Sequence, residues 1–240
     1  MTKIHTNKAF ESELRLLRDR ILVIAGRIEK MIESSIKALA ENDIELAKKT
    51  IDYDRSIDRD EMIIDRQCIE LLATRQPLAQ DLRFVVAVIK MVTYFERLGD
   101  LAVKICHRVV MLKGAKQHHD IQGIMKMAHG VESMLKETLE AFLFRDTKRA
   151  LAVIRDDDAI DEIYHSTTRY YIKEMAQHHD VEGYYHLLSI AKWLERMGDH
   201  CTNLAELIIF MVKGEDIRHK ITENAVRDKT KNVLEKTPLV

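Results

Sequence analysis

The sequence predicts an all-α protein made of two homologous antiparallel three-helix bundles, and three observations carry that expectation. The composition is that of a long-helix protein: among 240 residues there are only 8 Gly and 2 Pro, against 46% apolar and 32% charged. Apolar residues recur at spacings of three and four over long stretches and rarely alternate with polar ones, so the strand signal is poor. A short stretch is also written twice, as Glu96-Arg97-Leu98-Gly99-Asp100 and Glu195-Arg196-Met197-Gly198-Asp199, each copy inside a long apolar helical pattern.

The first helix is expected over residues 8–40, where Leu14, Leu17, Ile21, Ile24, Ile28, Met31, Ile32, Ser35 and Leu39 form one stripe. Asn42-Asp43 breaks it and offers an N-cap to a second helix, from Ile44 to about Ala73. Its buried positions read Leu46, Ile51, Ile57, Ile64, Cys68, Leu71 and Leu72. Pro77 disfavours helical geometry at Gln76, so a third helix starts near Leu78 and runs to Leu112, with Lys113-Gly114 as its C-terminal signal.

Residues 115–120 are a polar connection, after which the plan repeats. A fourth helix covers 121–144, Arg145-Asp146 is the break, a fifth runs from Thr147 to Met175, and His178-His179-Asp180 is the next turn. The sixth runs from Val181 to Val212 and closes at Lys213-Gly214. A repeat of about 100 residues is a duplicated domain rather than a solenoid unit. The expected division is a first repeat over 1–116, a second over 117–216 and a solvated tail over 217–240.

The net charge of −1 gives no reason to expect nucleic acid or an anionic membrane as partner. Cys68, Cys106 and Cys201 are odd in number, widely spaced and lack a metal-binding spacing, so they read as reduced core thiols. No apolar run approaches 18 residues and residues 1–8 lack a signal core, which gives a soluble, cytoplasmic expectation without membrane insertion.

In each repeated stretch a Glu and an Asp four apart share one helix face. That face is otherwise apolar: Val85, Ile89, Val92, Glu96, Asp100, Val103 in one copy, and Leu188, Ala191, Glu195, Asp199, Thr202 in the other. Two carboxylates on a half-buried stripe repel each other and need compensation, by a cation or by arginines such as the adjoining Arg97 and Arg196. An i+1 neighbour points elsewhere on the helix. The interior glycines Gly99 and Gly198 each cost about 1 kcal/mol relative to Ala and so call for a packing or functional reason.

The middle helix of each half carries further acids four apart, Asp54 with Asp58 and Asp157 with Asp161. As antiparallel neighbours, the two helices can oppose these pairs to Glu96/Asp100 and Glu195/Asp199. Four carboxylates make a hard oxygen site suited to Mg²⁺, Mn²⁺, iron or Ca²⁺ and able to accept Zn²⁺. A solvated acidic helix face is the competing reading. Pairs such as Glu61 with Asp65 are set aside as chance in so acidic a chain.

The Glu-Arg-Leu-Gly-Asp stretch and Glu195-Arg-Met-Gly-Asp-His-Cys-Thr-Asn-Leu-Ala-Glu206 resemble the repeated signature of PhoU proteins. Residues 75–83, Arg-Gln-Pro-Leu-Ala-Gln-Asp-Leu-Arg, and 213–219, Lys-Gly-Glu-Asp-Ile-Arg-His, resemble that family too. The resemblance implies paired three-helix bundles holding clusters of iron, zinc or another metal, with manganese or magnesium also compatible. Carried over residue by residue, the ligands would be Asp54, Asp58, Glu96 and Asp100, then Asp157, Asp161, Glu195 and Asp199, with Asn203 and Glu206 further along that face. Lys104 and His107 depart from the pattern in the first half, making the first cluster the smaller expectation.

The resemblance also implies a non-enzymatic role. It points to a negative regulator of the phosphate-starvation response and of phosphate uptake, a homodimer coupling the ATPase subunit of a phosphate ABC transporter to a sensor histidine kinase. The competing class is a carboxylate-bridged di-metal enzyme in a helical bundle. Such enzymes use two Glu-x-x-His units, and the chain has one, Glu162 to His165. Asp120 and Asp180, in the two Gln-His-His-Asp stretches, read as N-caps, and the methionines as core filling.

Overall fold

A computed structural model describes residues 8–112, 119–178 and 180–217. These form six helices: α1 (Lys8–Glu41), α2 (Ile44–Arg75), α3 (Ala79–Met111), α4 (Gln122–Phe144), α5 (Thr147–His178) and α6 (Val181–Lys213). In each half the three helices pack mutually, α1 with α2 and α3, and α4 with α5 and α6. The halves join where α3 lies on α6 and, more narrowly, α1 on α4. The two antiparallel three-helix bundles expected from the sequence are therefore present.

The expected stripe of α1 is buried, from Leu17 through Ile21, Ile24, Ile28 and Ile32 to Leu39. Each fully buried aliphatic side chain contributes about 1.5–3 kcal/mol, so this face holds α1 in place rather than its modest local propensity. α3 and α6 are buried on more than one side, because each packs within its own bundle and against the other. Met31, Met91, Met127, Met134, Met197 and Met211 fill the core as expected, whereas Met62 and Met111 are exposed on α2 and α3. All three cysteines are free and buried, and burial pushes Cys68 and Cys106 up to about 12.

The turns repeat as the helices do. Asn42 and Arg145 both take a left-handed conformation (φ 53° and 54°) and are followed by an Asp that caps the next helix. Asp43 Oδ1 accepts from the Leu46 amide at 2.9 Å, and Asp146 Oδ1 from Lys148 and Arg149 at 2.9 and 3.2 Å. Even the buried hydroxyls correspond, Ser35 donating to the Ile32 carbonyl and Thr138 to that of Met134. Gly214 ends α6 at φ 77°, its amide donating to the Phe210 carbonyl, as Lys213-Gly214 led one to expect.

Boundaries differ in small ways. α2 continues past Ala73 to Arg75, α5 continues past Met175 to His178, and α3 begins at Ala79. Thr74, Arg75 and Gln177 in the added turns are exposed and polar, so apolar spacing does not reach them. Asp180 caps α6, accepting from the Gly183 amide at 3.0 Å, whereas Asp120 sits one residue too early to cap α4. It accepts from Gln122 two residues on, an Asx turn instead of an N-cap. Ile217 packs on the core rather than opening the tail. Lys113-Gly114 and the remainder of the tail lie outside the described residues.

The seam between the halves is chemically mixed. Phe84 of α3 stacks on Phe142 of α4, with Arg18 of α1 over Phe84. On α3, Arg108 lies over the Tyr185 and Trp193 rings of α6 and donates to His186 Nδ1 at 3.1 Å. His200 is buried against Tyr94, ring centres 5.7 Å apart, and points away from the acidic face. Burial, then Arg97 and Arg196, pull its pKa down to about 4.

Candidate metal centres

Antiparallel packing of α2 on α3 opposes Asp54 and Asp58 to Glu96 and Asp100, and packing of α5 on α6 opposes Asp157 and Asp161 to Glu195 and Asp199. Their electrostatics show that each set shares one neighbourhood. Asp54 rises to about 6, first through burial, then through Asp58 and Asp100. Asp157 rises to about 7, first through burial, then through Asp199 and Asp161. Asp199, exposed at the rim, is raised by desolvation and then by Glu195 and Asp161. Acids raised in this way keep their protons to higher pH than free carboxylates when nothing else neutralises them.

The glycines explain themselves here. A Cβ on Gly198 would stand 2.7 Å from Asp157 Oδ1, and one on Gly99 3.3 Å from Asp54 Oδ1 and 3.1 Å from Ile28 Cδ1. Each missing side chain lets a middle-helix carboxylate lie on the backbone of the motif helix. Ile57 and Ile160 flank the same two contacts, so the arrangement is duplicated in detail.

The structure adds acids to the first cluster. Glu61 is raised by desolvation, then by Asp65, Asp58 and Asp100, and Glu96 by desolvation, then by Asp100, Glu61, Asp58 and Asp54. The dismissal of Glu61 and Asp65 as chance is thus corrected. Asp54, Asp58, Glu61 and Asp65 form one stripe at spacings of four, three and four, and that continuity is the signal a pairwise search misses. The first set of acids thus includes Glu61 and Asp65 beside the four carried over from the resemblance. Lys104 stands 3.9 Å from Asp100 at the exposed rim, and His107 is exposed.

Two of the carried-over positions are not drawn in. Asn203 spends its amide nitrogen on the Asp199 carbonyl, 2.7 Å away in its own helix. Glu206 lines a separate cleft with Lys90, Phe210 and Asp216. The arginines of the motif do not neutralise the acids by direct pairing: Arg97 is exposed and lies over the Tyr94 ring, and Arg196 is exposed. Glu162 and His165 are both exposed on α5, and neither belongs to the cluster.

Among the described residues no three His, Cys, Asp or Glu side chains are already gathered into a metal-holding group. Three features nonetheless suit a hard cation: the carboxylates seated on glycine, the buried and unpartnered Asp65 Oδ1 and Glu195 Oε2, and a donor set composed of oxygen. Among the described residues no helix is long and apolar enough to cross a membrane.

Comparison with known proteins matches the same two halves. The PhoU domain model fits residues 21–109 and again 124–208. The chain is 32% identical over 217 residues to the phosphate-specific transport system accessory protein PhoU of Escherichia coli (strain K12), covering 90% of each. It is 34% identical over 221 residues to the PhoU homolog of Pseudomonas putida, covering 90% of this chain and 85% of that one. Among solved structures, PhoU from Pseudomonas aeruginosa superposes with a TM-score of 0.83 at 32% identity, covering 86% of this chain and all of that one. The phosphate transport system regulatory protein PhoU from Streptococcus pneumoniae gives 0.81 at 28% identity, covering 86% of this chain and 98% of that one.

Proposed function

The chain belongs to the PhoU family, and from that premise we propose that it is an accessory, regulatory protein of phosphate-specific transport whose two acidic clusters bind metal ions. It acts by contact rather than by catalysis. Its partners would be the ATPase subunit of a phosphate ABC transporter and a phosphate-sensing histidine kinase, and it would work in the cytoplasm as a homodimer.

The observation that carries the metal reading is the duplicated contact of Asp54 on Gly99 and Asp157 on Gly198. In both halves it seats an acid of raised pKa among other acids. Asp54, Asp58, Glu96 and Asp100 would hold the ions of one half, with Glu61 added. Asp157, Asp161, Glu195 and Asp199 would hold those of the other. Iron or zinc is expected, and manganese or magnesium fits the same oxygen set. A bound ion would supply charge neutralisation, fixing α2 to α3 and α5 to α6 through side chains that must turn inward to reach it. The helix faces presented to a partner would then depend on loading.

The test is metal content by mass spectrometry on untagged protein purified without chelator, beside the double variant Asp100→Ala/Asp199→Ala. One or more ions per chain, lost in the variant, supports the assignment. Binding of the purified ATPase subunit is measured on the same two samples. If both samples are metal-free after incubation with each ion, and both bind the subunit equally, the protein is a metal-independent adaptor.

A further inference from the structure

The two clusters differ at a pair of facing positions. In the register set by Glu96 and Glu195, the residue three before the motif is Thr93 in the first half and Lys192 in the second. In the register set by Asp58 and Asp161, the residue three after is Glu61 in the first half and Tyr164 in the second. These exchanges occur together and opposite one another. Lys192 Nζ lies 2.6 Å from Glu195 Oε1 and 5.2 Å from the centre of the Tyr164 ring. The Glu195 side chain is only 14% exposed, so the ammonium reaches down to a carboxylate that water scarcely reaches.

In the first half the corresponding space holds Glu61 in place of the aromatic ring and a threonine in place of the lysine. Among the described residues, Glu96, Glu61 and Asp54 have no ion-pair partner. Among the described residues this set of acids pairs with one ammonium, that of Lys104, which is 48% exposed and 3.9 Å from Asp100 at the rim, where solvent screens it.

We infer that Lys192, seated on Tyr164, is a built-in cation for the second cluster, so that the two halves load metal unequally: the first half, with Glu61 added and threonine in place of that lysine, takes a divalent ion first. The inference rests on the metal reading above and goes beyond it. An ammonium has three donors and no acceptor, and it competes with a metal for the same carboxylate lone pairs. Hard-cation affinity also follows the number of charged ligands, which here favours the first half. The aromatic face at position 164 fixes the lysine where a glutamate would instead have added a ligand.

The experiment is a calorimetric Mn²⁺ titration of the full, untagged chain, comparing wild type, Lys192→Thr and Thr93→Lys, with Asp54→Ala and Asp157→Ala identifying which half each binding class belongs to. Thermal melts of the same proteins in chelator run alongside. Wild type should show a tight class lost in Asp54→Ala and a class about 10-fold or more weaker lost in Asp157→Ala, the scale on which supporting groups tune metal affinity. Lys192→Thr should tighten the weaker class alone and lower the melting temperature in chelator. Thr93→Lys should weaken the tight class.

Equal classes in wild type, or a second class indifferent to Lys192→Thr, overturns the inference. Failure of all proteins to bind Mn²⁺, and equally Fe²⁺ and Zn²⁺ in the same titration, overturns the metal reading and unequal loading with it. In that event a lower chelated melt for Lys192→Thr would still establish the lysine as the standing counter-ion of the acids, and an unchanged melt would remove that role too. Lys192 is 48% exposed, so its replacement leaves the core intact.

Discussion

Asp157 Oδ1 lies so close over Gly198 that a single added methyl group would stand 2.7 Å from it. Carboxylate and glycine come from different helices, α5 and α6, and the pair is what joins the middle helix of this half to the repeated motif. Asp54 and Gly99 repeat the relationship with 0.6 Å more room, at 3.3 Å instead of 2.7 Å.

Gly198→Ala should therefore separate stability from binding. Alanine is favoured in a helix interior by about 1 kcal/mol, and the clashing atom is a side-chain end that can rotate away. The melting temperature of the metal-free protein should hold or rise, while Mn²⁺ affinity in the second half falls about 10-fold as Asp157 is displaced. Gly99→Ala should cost less binding. Unchanged affinity in Gly198→Ala would remove Asp157 from the ligand set.

The raised acids set a pH dependence whose sign can be stated. Asp54 and Asp157 hold protons more tightly folded (about 6 and about 7) than unfolded (3.8). Each therefore favours the fold fully below about pH 4, and that contribution drains away as pH climbs through 6 and 7. Glu13, Asp146 and Asp180, held below their usual range, act in the opposite direction at lower pH, and His186 and His200, lowered first by burial, do so as pH climbs toward 6.5. In chelator, the melting temperature should fall between about pH 6.5, above which the histidines no longer oppose it, and pH 8. Asp157→Asn should flatten the upper part of that fall, and Mn²⁺ should restore stability at pH 8. A melt that rises over this range and is insensitive to Asp157→Asn would contradict it.

Two glycines make opposite predictions from the same substitution. A Cβ on Gly123 of α4 would meet Thr167 of α5 at its Oγ1, at Cγ2 (2.9 Å) and at Cβ (3.1 Å). Threonine is branched at Cβ and cannot swing clear, so Gly123→Ala should destabilise by about 1–3 kcal/mol in a denaturant melt. Gly26 of α1 has nothing within 4 Å, so Gly26→Ala should stabilise by about 1 kcal/mol.

Arg145 occupies the left-handed region at φ 54° and also presses its charge on Arg18, whose pKa is lowered first by burial and then by Arg145. Glycine accepts that backbone without strain. Arg145→Gly should raise stability by about 0.5–1 kcal/mol in the same denaturant melt. A loss would mean that the arginine side chain contributes more than its backbone costs.

The stripe of α1 was readable because Ile21, Ile24, Ile28 and Ile32 recur with the helix period and bury what the period implies. The ends of α2 and α5 were not, since Thr74, Arg75 and Gln177 are polar, exposed residues that a helix or a turn would use equally. Within the site, the motif acids and their glycines could be picked out because burial of charge and an interior glycine are each costly. Glu61 was missed because one acid pair among many carries no weight until its stripe is followed past Asp58. Lys192 could not be seen at all: three residues before Glu195 it reads as a surface lysine, and only the packing of Tyr164 beside it gives it a place.

The mixed seam between α3 and α6 has a consequence for what each half could be without the other. In the register of the motifs, Arg108 corresponds to Leu207, His200 to Leu101, and the Tyr185-His186 pair to Val86-Ala87. Two copies of the first half would set Arg108 against aliphatic side chains with nothing to accept its hydrogen bond. Two copies of the second would leave His186 facing a leucine. The halves have become lock and key to each other, and the chain is in effect an obligate heterodimer that happens to be covalent. Splitting it between Leu112 and His119 should give fragments that find one another in solution, while neither pairs with itself.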